Sequence, residues 1–202
     1  MPKKFIKIYL VFLIGAFHFS CTTHKLSSTK TVKNNTQEIF WKELTALCGK
    51  AFKGTLLNAA ATDTVFNNQS LIMHVRSCDN NVIRVPFMVG SNRSRTWIIT
   101  RLQNGLELKH DHRHPDGTEN AVTLYGGHTA NSGSSTLQIF PADQHTVHIL
   151  PAAAGNVWWV ELVPGKYFNY NLRRMGTERL FTIQFDLTKT VDAPTAPWGW
   201  KD

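Results

Sequence analysis

The chain has 202 residues, of which 42% are hydrophobic, 11% aromatic and 18% charged, with 13 Gly, 8 Pro and 3 Cys. That suffices for one domain of ordinary size, is short for two, and is too apolar for a disordered chain. The net charge of +8 sits mostly at the front: six lysines and no acid fall within residues 1–36, leaving 16 Lys+Arg against 14 Asp+Glu beyond them. The remainder is close to neutral, so the basic balance does not point to nucleic acid.

The first 20 residues run from basic (Lys3, Lys4, Lys7) through an apolar stretch, Ile8 to Phe17, to His18-Phe19-Ser20 before Cys21. The apolar stretch is too short to span a bilayer as a permanent helix and reads as an export signal over residues 1–20. A cysteine directly after such a stretch resembles the lipobox of bacterial lipoproteins, which implies acylation of Cys21. In that pattern an aliphatic residue usually stands where this chain has His18. Plain secretion after cleavage nearby is the alternative. Residues 21–36 are rich in Ser, Thr, Lys and Asn and cannot bury a core; they fit a flexible tether. The expected location is the bacterial cell envelope, at the periplasmic or outer-membrane face, with the membrane as partner through the anchor.

Asn35-Thr36 can cap a helix carrying Ile39, Phe40, Glu43, Leu44 and Leu47 at helical spacing, stopped by Gly49. Export into an oxidising compartment makes Cys48 and Cys78 an even pair and predicts a disulfide; two buried free thiols are the alternative. From there the period is two. Strands are expected at 53–58, 70–78, 82–89, 95–102, 105–114, 119–125, 135–140, 145–150, 156–163, 166–173 and 179–187. Turn signals separate them, among them Asn104-Gly105, Asp116-Gly117, Gly126-Gly127 and Pro164-Gly165. The reading is all-β: about ten antiparallel strands in a meander, closed or nearly closed into a β-barrel, as one domain over 37–191 with one short N-terminal helix. A jelly-roll or cupin-like sandwich is the alternative. Residues 192–202, with two prolines and two tryptophans, read as an extended C-terminal strap.

The most informative segment is Gly105 to Gly117. Alternation puts Leu106, Leu108, His110, His112 and His114 on one face and Glu107, Lys109, Asp111 and Arg113 on the other. The histidines thus continue an inward apolar face toward a turn. Three readings stay open. Two of the histidines, His112 and His114 or His110 and His112, could ligate a divalent transition metal (Zn, Fe or Mn) at a site completed by Glu119, His128, His74, His145 or His148. They could line the mouth of a ligand cavity as neutral groups, or simply pin the hairpin. Arg93 and Arg95, with Trp97 behind them, form a second cluster able to hold a carboxylate or phosphate, or an ordinary solvated turn. Arg173-Arg174 beside Glu178 reads as surface pairing. Trp158 and Trp159 point to opposite faces. There is no Gly-x-Ser-x-Gly elbow, phosphate-binding glycine loop, dinucleotide fingerprint or His-Glu-x-x-His, so no common hydrolase is supported.

Three resemblances bear on these residues. The stretch Gly49-Lys50-Ala51-Phe52-Lys53-Gly54 resembles the Gly-x-aromatic-x-Gly start of lipocalin-type (calycin) barrels, with a spacing one residue different. Gly105, His112, His114, Glu119 and Gly126 partly resemble the first cupin motif, and Pro141 and His145 stand where its second motif places a proline and a histidine; the resemblance implies His112, His114, Glu119 and His145 as the metal set. Most of Trp41 to Leu187 is similar to a largely uncharacterised family of secreted or lipid-anchored bacterial proteins. The segments carrying that likeness include His74 to Cys78, Ser94 to Trp97, Lys109 to Gly117, Thr123 to Gly127 and Phe140 to Asp143. No reaction comes with it. The expectation is a binding protein with a small or apolar ligand in its barrel, and the rival is a metal-dependent enzyme built on His110, His112 and His114.

Overall fold

The computed structural model describes residues 1–2, 35–61 and 64–200. The export segment, Cys21 and most of the tether lie outside the described residues. The compact unit Lys33–Asp202 contains every described element. It begins with helix α1 (Asn35–Thr45) and continues through strands β1 (Ala51–Ala59), β2 (Leu71–His74), β3 (Ser77–Cys78), β4 (Val82–Val89), β5 (Asn92–Leu102), β6 (Gly105–His112), β7 (Tyr125–His128) and β8 (Leu137–Pro141). Helix α2 (Gln144–Ile149) and a 3-10 turn (Pro151–Ala153) lead into β9 (Asn156–Val163), β10 (Tyr167–Arg174) and β11 (Leu180–Asp186).

The strands pair antiparallel in the order β7-β6-β5-β4-β2-β1-β11-β10-β9-β8, with the short β3 beside β4. Every link but one joins chain neighbours or steps over β3. The exception joins the first and last strands, Thr55 opposite Gln184. This is a nearly closed meander barrel, and its seam falls in the middle of the chain, between β7 and β8. One bridge, Gly127 to Ala142, spans the seam. The Asp143 amide donates to the Gly126 carbonyl at 3.0 Å. The buried Thr146 hydroxyl donates to the same carbonyl at 2.7 Å and accepts from the Gly126 amide at 2.6 Å.

Two expected strands differ. The strand expected at 145–150 is helix α2 (Gln144–Ile149) instead, because Asp143 caps it: its carboxylate accepts from the Thr146 amide at 2.8 Å. Residues 119–125 are mostly loop, tied to the β6 end by the Arg113–Glu119 bridge, and the strand lies at Tyr125–His128 instead. Gly126-Gly127 is thus strand, not turn.

Helix α1 closes one end of the barrel. Phe40, Trp41, Leu44 and Leu47 are buried in the common core, as the helical spacing predicts. Gln37 reaches Thr129 and Gln138, and Arg101 pairs with Glu38 at 3.0 Å while lying over the Trp41 ring. The chain turns back at Gly49, with φ +79°. A disulfide joins Cys48, at the end of the helix segment, to Cys78 on β3. Closing that 30-residue separation contributes roughly 3–4 kcal/mol by the loop-entropy relation.

The strap runs outside the barrel. The Trp198 amide donates to the Arg93 carbonyl, Arg93 donates from Nη1 to the Ala196 carbonyl at 2.9 Å, and Arg76 lies over the Trp200 ring. Gly199 packs on Gly117, where a Cβ on Gly117 would come within 2.7 Å of the Gly199 Cα.

Candidate functional site

Alternation along β6 carries directly into the interior. Leu106, Leu108 and His110 are buried, and His112 follows them at the end away from α1. The same end collects the end of β4, the start of β5, the start of β9 and the end of β10. There a cavity of about 160 Å³ opens among side chains from seven strands and the loops at 65–66, 150 and 179. Its floor and walls are aromatic: Trp97, Tyr125, Trp158, Tyr170, Phe87 and Phe181. Trp97 stacks on Tyr170 at 4.2 Å between ring centres and on Phe87 at 4.9 Å. Three cations, Arg95, Arg174 and Arg179, also face it, and no Asp or Glu lines it among the described residues.

The polar groups form a chain. The Tyr125 carbonyl can only accept, so the His110 Nδ1 at 3.0 Å carries a proton. His110 Nε2 is then the acceptor, and the Tyr170 hydroxyl donates to it at 2.5 Å. The Tyr125 hydroxyl meets His112 Nε2 at 3.0 Å, and its ring stacks on His110 at 4.7 Å. Burial decides the protonation states. Desolvation pushes His110 down to about 3, more than the Tyr125 hydrogen bond raises it. Desolvation, then the Arg95 charge, takes His112 to about 4. Both imidazoles are neutral at pH 7. Burial also raises the Tyr125 and Tyr170 phenols, which stay protonated. Desolvation lowers Arg95 from its ordinary value, while the two tyrosines favour its charge. It remains a guanidinium.

Arg95 stands directly opposite His112 in the β5–β6 register. Its Nη1 donates to the Asn92 Oδ1 at 3.1 Å. That oxygen also accepts from the Ser94 amide and hydroxyl, so Asn92 acts wholly as an acceptor through it.

The candidate residues therefore divide. Arg95, Trp97, His110 and His112 line the cavity, whereas Arg93 serves the strap and His114 does not reach it. Strand pairing stops before His114, which is exposed in a tight turn where its amide donates to the Thr118 carbonyl and its carbonyl accepts from the Gly117 amide. The metal set His112, His114, Glu119 and His145 is not brought together: Glu119 pairs with Arg113 at 3.1 Å, and His145 is exposed on α2. Arg174 turns toward the cavity rather than the outer surface, its Nε donating to the Asn156 Oδ1 at 2.8 Å. Tyr125, Tyr170 and Arg179 carry no local signal that sets them apart. Only the pairing of distant strands reveals them.

Among the described residues one group has metal-ligand spacing, Glu107, His128 and Asp143 on the outer side of the seam. Lys109 fills that group: its Nζ lies 2.5 Å from Asp143 Oδ2 and 4.0 Å from Glu107 Oε1. His128 Nε2 completes it at 3.0 Å from Glu107. An ammonium already held between the carboxylates makes this an ion-pair clasp over the seam, not a cation site. The charged face of β6 thus has a structural task, where alternation alone gives a solvated face. No family model, curated protein or solved structure matches this chain.

Proposed function

We propose that this is an exported, lipid-anchored envelope protein whose barrel binds a small ligand at the end opposite α1. The observation that carries the binding reading is the aromatic-walled cavity of about 160 Å³ with a few convergent polar groups. Its size is that of a cavity taking a benzene-sized body. The basic-apolar-Cys21 pattern and the apolar-poor segment after it support the anchor. The described residues contain no group that argues for the metal-dependent alternative, since Lys109 occupies the one with suitable spacing.

Two measurements test the two halves. A panel of benzene-sized aromatic compounds, neutral, anionic and cationic, is expected to contain at least one that raises Tm by roughly 5–10 °C at a hundredfold excess over its Kd. Leu172, at 3% exposure on the cavity wall, is the place to fill it. Leu172→Phe is expected to keep the fold and abolish that shift; a full panel without a shift would rule the binding reading out. For the anchor, full-length protein made in a bacterial host is expected to partition into the detergent phase, and Cys21→Ser to move it to the aqueous phase. Unchanged partitioning would remove the anchor.

A further inference from the structure

We infer that the ligand of this cavity is a small aromatic carboxylate, its ring held among Trp97, Trp158 and Tyr170 and its carboxylate paired with Arg95. The inference rests on the binding reading above and adds the charge and the headgroup. Three observations carry it. Arg95 reaches the cavity from the rim strand, held by the neutral amide oxygen of Asn92, with no carboxylate partner among the described residues. A guanidinium in that position is set for a planar, two-oxygen anion, because its paired N–H groups match a carboxylate edge. Next, every other described titratable group facing it is either neutral or cationic. His110 and His112 are uncharged, Tyr125 and Tyr170 are protonated, and Arg174 and Arg179 are the other charged side chains lining the cavity. A cationic ligand would meet like charge, and a neutral one would leave Arg95 desolvated for no gain. Finally, the remaining walls are mostly aromatic and leave room for little more than one ring, which excludes a long acyl chain and a large polyanion.

The closing experiment uses three probes of one shape on the purified domain-containing protein: benzoate, benzamide and benzylamine, by calorimetry. Benzoate is expected to bind about tenfold or more tightly than benzamide, with benzylamine weakest. Two variants separate charge from fold. Arg95→Gln removes the guanidinium. Asn92→Asp is isosteric and keeps every hydrogen bond that the Asn92 Oδ1 accepts, while supplying Arg95 with a carboxylate of its own. Both are expected to lose about tenfold or more in benzoate affinity and leave benzamide unchanged. Should Arg95→Gln fail to fold, Asn92→Asp alone decides. Equal affinity for benzoate and benzamide, or benzoate affinity unmoved by Asn92→Asp, overturns the carboxylate inference while the binding reading stands. Absence of binding by all three, together with a silent aromatic panel, overturns both.

Discussion

Gly127→Ala is expected to destabilise the protein by about 4 kcal/mol or more, or to prevent folding, because it places a methyl group where the barrel closes. A Cβ on Gly127 would lie 1.8 Å from the Pro141 carbonyl oxygen and 2.7 Å from its carbon, both backbone atoms that cannot swing aside. Its neighbour has the same constraint from the other side: a Cβ on Gly126 would lie 1.8 Å from the Leu108 carbonyl oxygen. Parting β7 from β8 loses more than one contact. The Gly127–Ala142 bridge, the Asp143 amide bond to Gly126 and the double hydrogen bond between Gly126 and Thr146 all cross that line. Thr146 is fully buried, so opening the seam exposes or orphans each of these groups. Denaturant unfolding against Gly165→Ala checks it. Gly165 has φ +68° and open space around it, so that control is expected to cost only about 1 kcal/mol from backbone strain. Equal costs for the two variants would mean that β7 and β8 do not approach this closely.

Acid is expected to weaken the fold well before the carboxylates titrate. His110 has an unfolded-state value near 6.5 and a folded value of about 3, so between those limits the unfolded chain binds the extra proton. Stability is therefore full above pH 6.5 and falls as the pH drops through the window, by about 3 kcal/mol from this residue at pH 4.5. His112, lowered to about 4, adds to the same slope, discounted because it is partly exposed. The groups that bear on His110 from its neighbours are Lys109 and His112 on its own strand, with the Tyr125 carbonyl and the Tyr170 hydroxyl facing it. None is an acid that could stabilise an imidazolium there. Burial pulls the Asp143 carboxyl up, but hydrogen bonds from Lys109 and Thr146 hold it below its ordinary value. Its contribution is present above about pH 3.9 and is lost below, so it stays in place at the pH 4.5 where the histidine effect is read. Urea unfolding at pH 7 and pH 4.5, on wild type and His110→Gln, separates them. The variant is expected to be less stable at pH 7, having lost its bond to Tyr170, yet to show a much shallower fall. A parallel fall in both proteins would assign the acid sensitivity elsewhere.

The helix over Asn35–Thr45 and the strands from β4 to β6 and from β9 to β11 were legible because their evidence is local. Alternation such as Phe181, Ile183 and Phe185 against Thr182, Gln184 and Asp186 needs no partner to be read, and the buried and half-buried pattern of β11 follows it. The meander followed from short links, and the inward turn of His110 and His112 from the parity they share with Leu106 and Leu108. The two misread segments failed where local rules compete with tertiary ones. Gly-Gly marks a turn on its own, since glycine tolerates positive φ; in β7 the missing side chains serve close approach instead. His145 to Ile149 has a strand-like alternation, but Asp143 caps it as a helix, and the turn of helix delivers Thr146 to the seam.

Taken by itself, then, the chain determined an antiparallel meander with one helix, an even cysteine pair that the fold joins, and a strand on which His110 and His112 face inward. Those follow from side-chain period and residue chemistry over a few neighbouring positions. Tertiary structure alone decided that the barrel closes between β7 and β8 and that Lys109 bridges Asp143 and Glu107 across that seam. It likewise decided that Arg95 and Arg174, far apart in sequence, face one aromatic cavity from which Arg93 and His114 are absent. The reason is geometric: which side chains meet inside a barrel depends on the register and curvature of strands distant in sequence, and neither is written in any one of them.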